Sequence, residues 1–193
     1  MRDSIGVTVE THDGSTASLD AELRDLYGAV YAEPPYRDGP EEIAEFVAEW
    51  PDLVARPGFR LAVARVAAGD LAGFALGHVV DPDGGWWPDN RLAPAGDRAD
   101  RGKGNRIPAP TFGIAELGVH PAWRRHGVAR LVHEALLTGR TEPWVVLWVR
   151  RDAPAAVAMY HRWGYRLVGA VPDRPPYQVM CLSRNAGARA TTG

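Results

Sequence analysis

The stretch that decides the fold is Phe112-Gly113-Ile114-Ala115-Glu116-Leu117-Gly118-Val119-His120-Pro121-Ala122-Trp123-Arg124-Arg125-His126-Gly127-Val128-Ala129-Arg130-Leu131. Ile114, Leu117 and Val119 suit a β-strand, against the weakening effect of two glycines. Pro121 has no N–H for an interior strand, so the strand is expected to end near His120. From Val128 the apolar positions fall at 128, 131, 132, 135 and 136, the stripe of a helix packed on a sheet. His133 and Glu134 then fall on its solvent face, and Gly139 sits where a glycine ends a helix. Between strand and helix lies a basic turn. A helix N-terminus presents unpaired N–H groups and partial positive charge, which attract phosphate. Gly127 allows that approach without a Cβ in the way, and Ala129 keeps the next turn slim. Arg124, Arg125 and His126 add positive charge. On these residues alone the turn is either a pyrophosphate cradle or an ordinary basic surface loop.

A chain of 193 residues has room for one sizeable core, whereas two domains would be cramped. With 46% hydrophobic and 24% charged residues it has the composition of a soluble globular protein. The formal net charge of −2 gives no electrostatic reason to bind nucleic acid or an anionic membrane. The single cysteine, Cys181, excludes an internal disulfide and multi-cysteine zinc. It lies in an apolar run, as a buried inert thiol would. No metal site is expected, because the six histidines are scattered and none stands in a metalloprotease pattern. No apolar run approaches ~20 residues and the N-terminus lacks a signal-peptide core, so a cytoplasmic location is expected by default. One domain over 1–183 is expected, followed by a tail, 184–193, with nothing to bury.

Along the chain, Ile5, Val7 and Val9 alternate as a first strand ending at His12-Asp13-Gly14. Helical spacing follows over 15–31 until Glu33-Pro34-Pro35-Tyr36 breaks it. A second helix is expected from Pro40, with Glu41 and Glu42 in its first turn, to Pro51 or shortly after. Residues 59–66 and 71–80 form a hairpin about Gly69-Asp70. Residues 81–110 are turn-rich and aperiodic, as functional or mobile loops are. Beyond the cradle helix come an apolar strand at 143–149, helical spacing over 155–163, and closing strands at 165–171 and 177–182. Physics alone gives α+β or α/β, with a mixed sheet and helices on both faces.

At this point the chain resembles the GCN5-related N-acetyltransferase (GNAT) superfamily. Arg124-Arg125-His126-Gly127-Val128-Ala129 is similar to its acetyl-CoA signature, Q/R-x-x-G-x-G/A, preceded by the strand Glu116-Leu117-Gly118-Val119. Ala156-Val157-Ala158-Met159-Tyr160-His161-Arg162-Trp163-Gly164-Tyr165 is similar to the second signature, A-x-x-x-Y-x-x-x-G-F/Y. The two stand in the family's order and spacing. The resemblance implies a GNAT-like single domain of mixed α+β class, its central sheet six- or seven-stranded and splayed between 112–119 and 144–150 for acetyl-CoA. It maps cofactor contacts onto the backbone of Leu117 and Val119 and onto Arg124, Arg125, His126, Gly127, Val128 and Ala129. One position departs from the pattern: Ala153 stands where the family often has an asparagine, so that contact falls to backbone, to Asp152, or to nothing.

Acetyl transfer to an amine needs a neutral nucleophile, a stabilised oxyanion and a proton for the leaving thiolate. By the resemblance, Tyr160 occupies the general acid's position; the alternative is an aromatic packing helix on sheet. Glu116 stands where several family members place a base, or is a charge on the strand's outer face. Glu33 and Tyr36 border the implied acceptor site, where an acidic group beside an aromatic suits a cationic amine, or they only end a helix. Trp86 and Trp87 line an acceptor pocket or anchor the long loop. The function so implied is acetyl-CoA-dependent N-acetylation of a primary amine, by direct transfer in a ternary complex. A small-molecule amine is favoured over a protein or peptide amine, and a non-catalytic CoA-binding regulatory module is the other class. The oligomeric state stays open, homodimers being common among proteins that resemble this one.

Overall fold

The computed structural model describes residues 6–80, 110–171 and 174–184. The expectations for the loop after Val80, including Trp86 and Trp87, and for the tail beyond Arg184 lie outside the described residues. Among the described residues seven strands and four helices follow one another as β1 (Val7–Asp13), α1 (Ala21–Tyr31), α2 (Pro40–Val54), β2 (Arg60–Val66), β3 (Leu71–Val79), β4 (Thr111–Val119), α3 (Val128–Leu137), β5 (Trp144–Arg150), α4 (Pro154–Arg162), β6 (Arg166–Ala170) and β7 (Tyr177–Ser183). The hydrogen-bonded strand order is β1-β2-β3-β4-β5-β7-β6. The element order is the one expected from the sequence. The chain divides into two compact units, one of residues 1–78 and 115–140, the other of 79–114 and 141–193.

In the first unit β1 pairs antiparallel with β2 from Val7–Val66 to Asp13–Arg60, and β2 antiparallel with β3 from Arg60–Gly77 to Arg65–Leu71. The β2–β3 turn closes where Gly69, at φ +97, donates its N–H to the Val66 carbonyl at 2.8 Å. Alternation sorts residues by size between the two faces. Leu61, Val63, Phe74 and Leu76 join the core under α1 and α2. The positions between them, Ala62, Ala64, Gly73 and Ala75, are small, and α3 lies against β1 and β2. A Cβ on Gly73 would come within 2.7 Å of Val128 Cγ1 on α3. Tyr27 and Phe46 stack at 3.9 Å between ring centroids, binding α1 to α2. Two helix expectations need correction. The helix anticipated over 15–31 begins only at Ala21, because Asp20 caps it by accepting from Leu23 N, while Ser15 and Thr16 fold back onto the Asp13 carboxylate. The apolar stripe of α3 is also turned from its expected line. Leu131 is 39% exposed, whereas His133, placed on the solvent face, is buried with Val132, Leu136 and Leu137. Desolvation lowers the His133 pKa to about 4, so its ring is neutral at ordinary pH.

In the second unit β5 runs parallel to β4 over four pairs, Thr111–Trp144 to Ile114–Leu147, and antiparallel to β7 along its length. β6 pairs antiparallel with β7. Val80, Val146, Val171, Val179 and Cys181 form a buried cluster flanked by Trp144 and Trp148. Burial raises the Cys181 thiol pKa to about 12, as suits an inert core thiol.

Gly118 is what lets α1 close on β4. A Cβ there would stand 2.8 Å from both Phe74 Cε1 and Val30 Cγ1. Gly118→Ala is therefore expected to lower stability by about 1–3 kcal/mol through overpacking. Chemical denaturation of both proteins checks it, and an unchanged midpoint would mean that α1 has slack to move.

Candidate active site

Leaving β4, the chain makes one 3-10 turn, Pro121–Trp123, capped where His120 Nδ1 accepts from Ala122 N at 3.2 Å. Two left-handed residues follow, Arg125 at φ +66 and Gly127 at φ +86. The second is the N-cap of α3, and its carbonyl accepts from Arg130 N at 3.0 Å and Leu131 N at 3.2 Å. The N–H groups of Val128 and Ala129 come too early in α3 for an intrahelical acceptor. A Cβ built on Gly127 meets nothing within 4 Å, so the backbone there faces open space. Arg125, His126 and Gly127 are exposed, while Val128 is buried and pins the first turn. The residues present thus fit an anionic group: helix-end donors, a glycine that clears the approach, and positive charge beside it.

Arg124 does something the sequence did not suggest. Its guanidinium pairs with Glu33, its Nε donates to the Val119 carbonyl at 3.2 Å, and a terminal nitrogen reaches the Val30 carbonyl at 3.4 Å. It straps the turn to the end of α1, and the Glu33 carboxylate is taken up in the strap. The exposed ion pair by itself contributes only ~0.2–1 kcal/mol; the carbonyl contacts make the strap directional. Leu117 and Val119 stand half-buried on β4.

A second constellation lies on the same strand. Tyr31, the last residue of α1, donates its hydroxyl to Glu116 Oε2 at 2.5 Å. Tyr36 is half-buried with its ring edge-on to Tyr31, centroids 4.9 Å apart. Glu116 keeps part of its surface exposed, yet enough protein surrounds its carboxyl for burial to be the largest influence on it. Burial raises its pKa to about 7, with the charges of Asp38 and Glu49 adding to the rise and the Tyr31 hydrogen bond opposing it. The folded state therefore holds this proton more tightly than the unfolded chain does. Its contribution to stability falls as pH climbs from the usual carboxyl range through about 7. Tyr31 is the functional candidate missed in the sequence: 85 residues separate it from Glu116, and no local pattern marks a helix-end tyrosine as a strand residue's partner.

In the second unit Tyr160 is buried on α4, with its ring edge-on to Trp163 at 5.7 Å and Tyr165 at 5.4 Å. α4 opens at Ala153 without a side-chain cap. Asp152 is engaged by Arg150 at 2.7 Å, which holds its carboxyl below the usual range. Among the described residues no three His, Cys, Asp or Glu side chains gather as a metal site requires. No described helix is long and apolar enough to cross a membrane.

Residues 19–165 match the family model described as "Acetyltransferase (GNAT) family". No curated protein matches the chain significantly. Solved structures do. An acetyltransferase from Thermus thermophilus is 13% identical, with a TM-score of 0.61 over 93% of this chain and 98% of that one. The PaiA N-acetyltransferase of Thermoplasma acidophilum, in complex with coenzyme A, is 11% identical, with a TM-score of 0.58 over 93% and 99%. The spermidine N-acetyltransferase SpeG of Vibrio cholerae is 13% identical, with a TM-score of 0.55 over 93% and 94%. At these identities the likeness establishes the fold.

The turn carries a control within the same chain. Gly69 is also left-handed with nothing within 4 Å, but lies in the β2–β3 turn. Gly127→Ala and Gly69→Ala should each lose about 1–2 kcal/mol of stability from the backbone conformation. Only Gly127→Ala should weaken acetyl-CoA binding, by roughly ten-fold or ~1.4 kcal/mol, in calorimetric titration. Equal affinities in the two variants would remove the cradle from the turn.

Proposed function

The chain belongs to the acetyltransferase (GNAT) family, and from that membership we propose that it acetylates a primary amine of a small cationic molecule, taking the acetyl group from acetyl-CoA. The observation that carries the proposal is the left-handed Gly127 that opens α3, with open space where a side chain would stand. Acetyl-CoA supplies an activated acetyl thioester. The N–H groups at the start of α3 and the exposed Arg125 and His126 hold its pyrophosphate, and the β4 backbone at Leu117 and Val119 aligns its arm. With Arg124 engaged by Glu33, the positive charge next to the turn falls chiefly to Arg125. Transfer is direct, without a covalent enzyme intermediate.

Glu116 takes the proton from the incoming ammonium, and its pKa of about 7 suits a base working near neutral pH. The acidic neighbours Asp38 and Glu49 favour a cationic acceptor. Tyr160 holds a proton at its hydroxyl for the departing thiolate, a part taken from the family's second signature. A phenol keeps that proton at neutral pH because its reference pKa is ~10. Free-thiol release from acetyl-CoA across a panel of polyamines, amino sugars and amino-acid amides tests the whole reading. Release with none of them, by a protein that binds acetyl-CoA, would leave a cofactor-binding module in its place.

Tyr160→Phe separates catalysis from packing. The ring and its contacts with Trp163 and Tyr165 remain. If the hydroxyl is the acid, turnover should fall by ~10²–10⁴-fold while substrate affinities hold. Stability should drop by no more than about 1–2 kcal/mol, one hydrogen bond's worth. Turnover within a few-fold of wild type, with a lowered melting temperature, would make Tyr160 a packing residue.

A further inference from the structure

The Tyr31–Glu116 pair has no cationic member. A carboxyl buried for structural reasons is ordinarily paired with Arg or Lys. Here the charges acting on Glu116 are those of Asp38, in the α1–α2 connection, and Glu49, on α2, both negative. Its one hydrogen bond among the described residues is the phenol of Tyr31, and that goes to Oε2. Oε1 receives no hydrogen bond from a described residue. A half-buried carboxyl held by one oxygen, in negative surroundings, is poor as a strut and well arranged to meet a cation.

We propose that Tyr31 is a positioning residue: by holding Oε2 it fixes the Glu116 carboxyl so that Oε1 is the atom that takes the proton from the substrate's ammonium. This rests on the acetyltransferase reading above and goes beyond it by naming the accepting atom and the residue that aims it. In the step, an N–H bond of R-NH3+ breaks and an O–H bond forms on Oε1. A neutral amine with a free electron pair and a neutral carboxylic acid remain. Tyr31 keeps its own proton throughout, because burial and the neighbouring Glu116 raise its pKa well above the ordinary phenol value. The arriving ammonium favours the ionised carboxyl over the negative background of Asp38 and Glu49, so the base forms where its substrate sits. Tyr31 itself is anchored from several sides. Its ring packs against Tyr27 at 4.7 Å and Tyr36 at 4.9 Å, and its carbonyl accepts from Asp38 N at 2.9 Å.

The test uses the full chain and three proteins: wild type, Tyr31→Phe and Glu116→Gln. The substitution at Tyr31 keeps the ring and removes the hydroxyl; acetyl-CoA affinity and melting temperature report whether the variants remain folded. Two quantities are followed with pH. One is kcat/KM for the best amine of a panel that includes 1,4-diaminobutane; the other is the Glu116 carboxyl carbon signal by NMR. Activity should rise with pH as Glu116 ionises. Removing a hydrogen bond that favours the carboxylate should move that rise to higher pH in Tyr31→Phe, with the carbon titration moving alongside it. In Glu116→Gln the rise should vanish and turnover should fall by ~10²–10⁴-fold. Tyr31→Phe should lose about ten-fold or more in kcat with a smaller change in KM. A purely structural Tyr31 would lower the melting temperature and leave the pH profile in place, which overturns the proposal. A carbon titration that moves while the activity profile stays would show that Glu116 is not the base. Wild-type protein that transfers to no amine would instead overturn the acetyltransferase reading, and the positioning role with it.

Discussion

Between Gly118 and Val128 the backbone has to leave a strand pinned under one helix and enter another that packs on the opposite face, and the site is arranged around that passage. At Gly118 the strand has no room for a side chain, because Val30 and Phe74 already occupy the space. Ten residues later Val128 must reach the small-residue face of the sheet at Gly73. The chain manages the change with a 3-10 turn and two left-handed residues, at 125 and 127. The same passage leaves the first amides of α3 without internal acceptors, the feature on which the proposed anion site rests.

Closing α1 onto β4 has a second consequence. Side chains two apart on a strand share a face, so tight packing at Gly118 brings the end of α1 over Glu116. Tyr31 meets the carboxyl there, and Arg124 returns from the turn to the Val30 carbonyl and Glu33. Cradle and carboxyl are therefore tied to one helix end. The two arginines of the turn divide their work: Arg124 holds the frame and Arg125 stays exposed. Glu33, which reads in the sequence as an acceptor-site acid, pairs with Arg124 within the frame, and Asp38 and Glu49 are the charges that raise the Glu116 pKa.

Much of the fold was legible because it is written in local patterns: alternation in the strands, Pro40 and its glutamates opening α2, Gly139 at φ +71 closing α3. The turn was legible too, since glycine and arginine beside a helix start carry their own chemistry. What escaped depends on distance along the chain. Helical periodicity put Leu131 on the buried stripe of α3 and His133 on its solvent face, whereas packing against the sheet turns the helix so that His133 is buried and Leu131 exposed. The start of α1 slipped because Asp13 captures Ser15 and Thr16 through its carboxylate, a local competitor to the helix. The Tyr31–Glu116 and Arg124–Glu33 contacts join residues 85 and 91 apart, and only the packing of α1 on β4 specifies them.

The central claim is that the amides opening α3 hold the pyrophosphate of acetyl-CoA. It is tested most directly by NMR of the 15N-labelled protein, comparing acetyl-CoA with S-acetylpantetheine, which carries the same thioester and no phosphate. Acetyl-CoA should shift the amides of Gly127, Val128 and Ala129 strongly downfield, and S-acetylpantetheine at saturating concentration should leave them nearly in place. Amides at 127–129 that stay unmoved by bound acetyl-CoA, or that move equally with both compounds, would contradict the account.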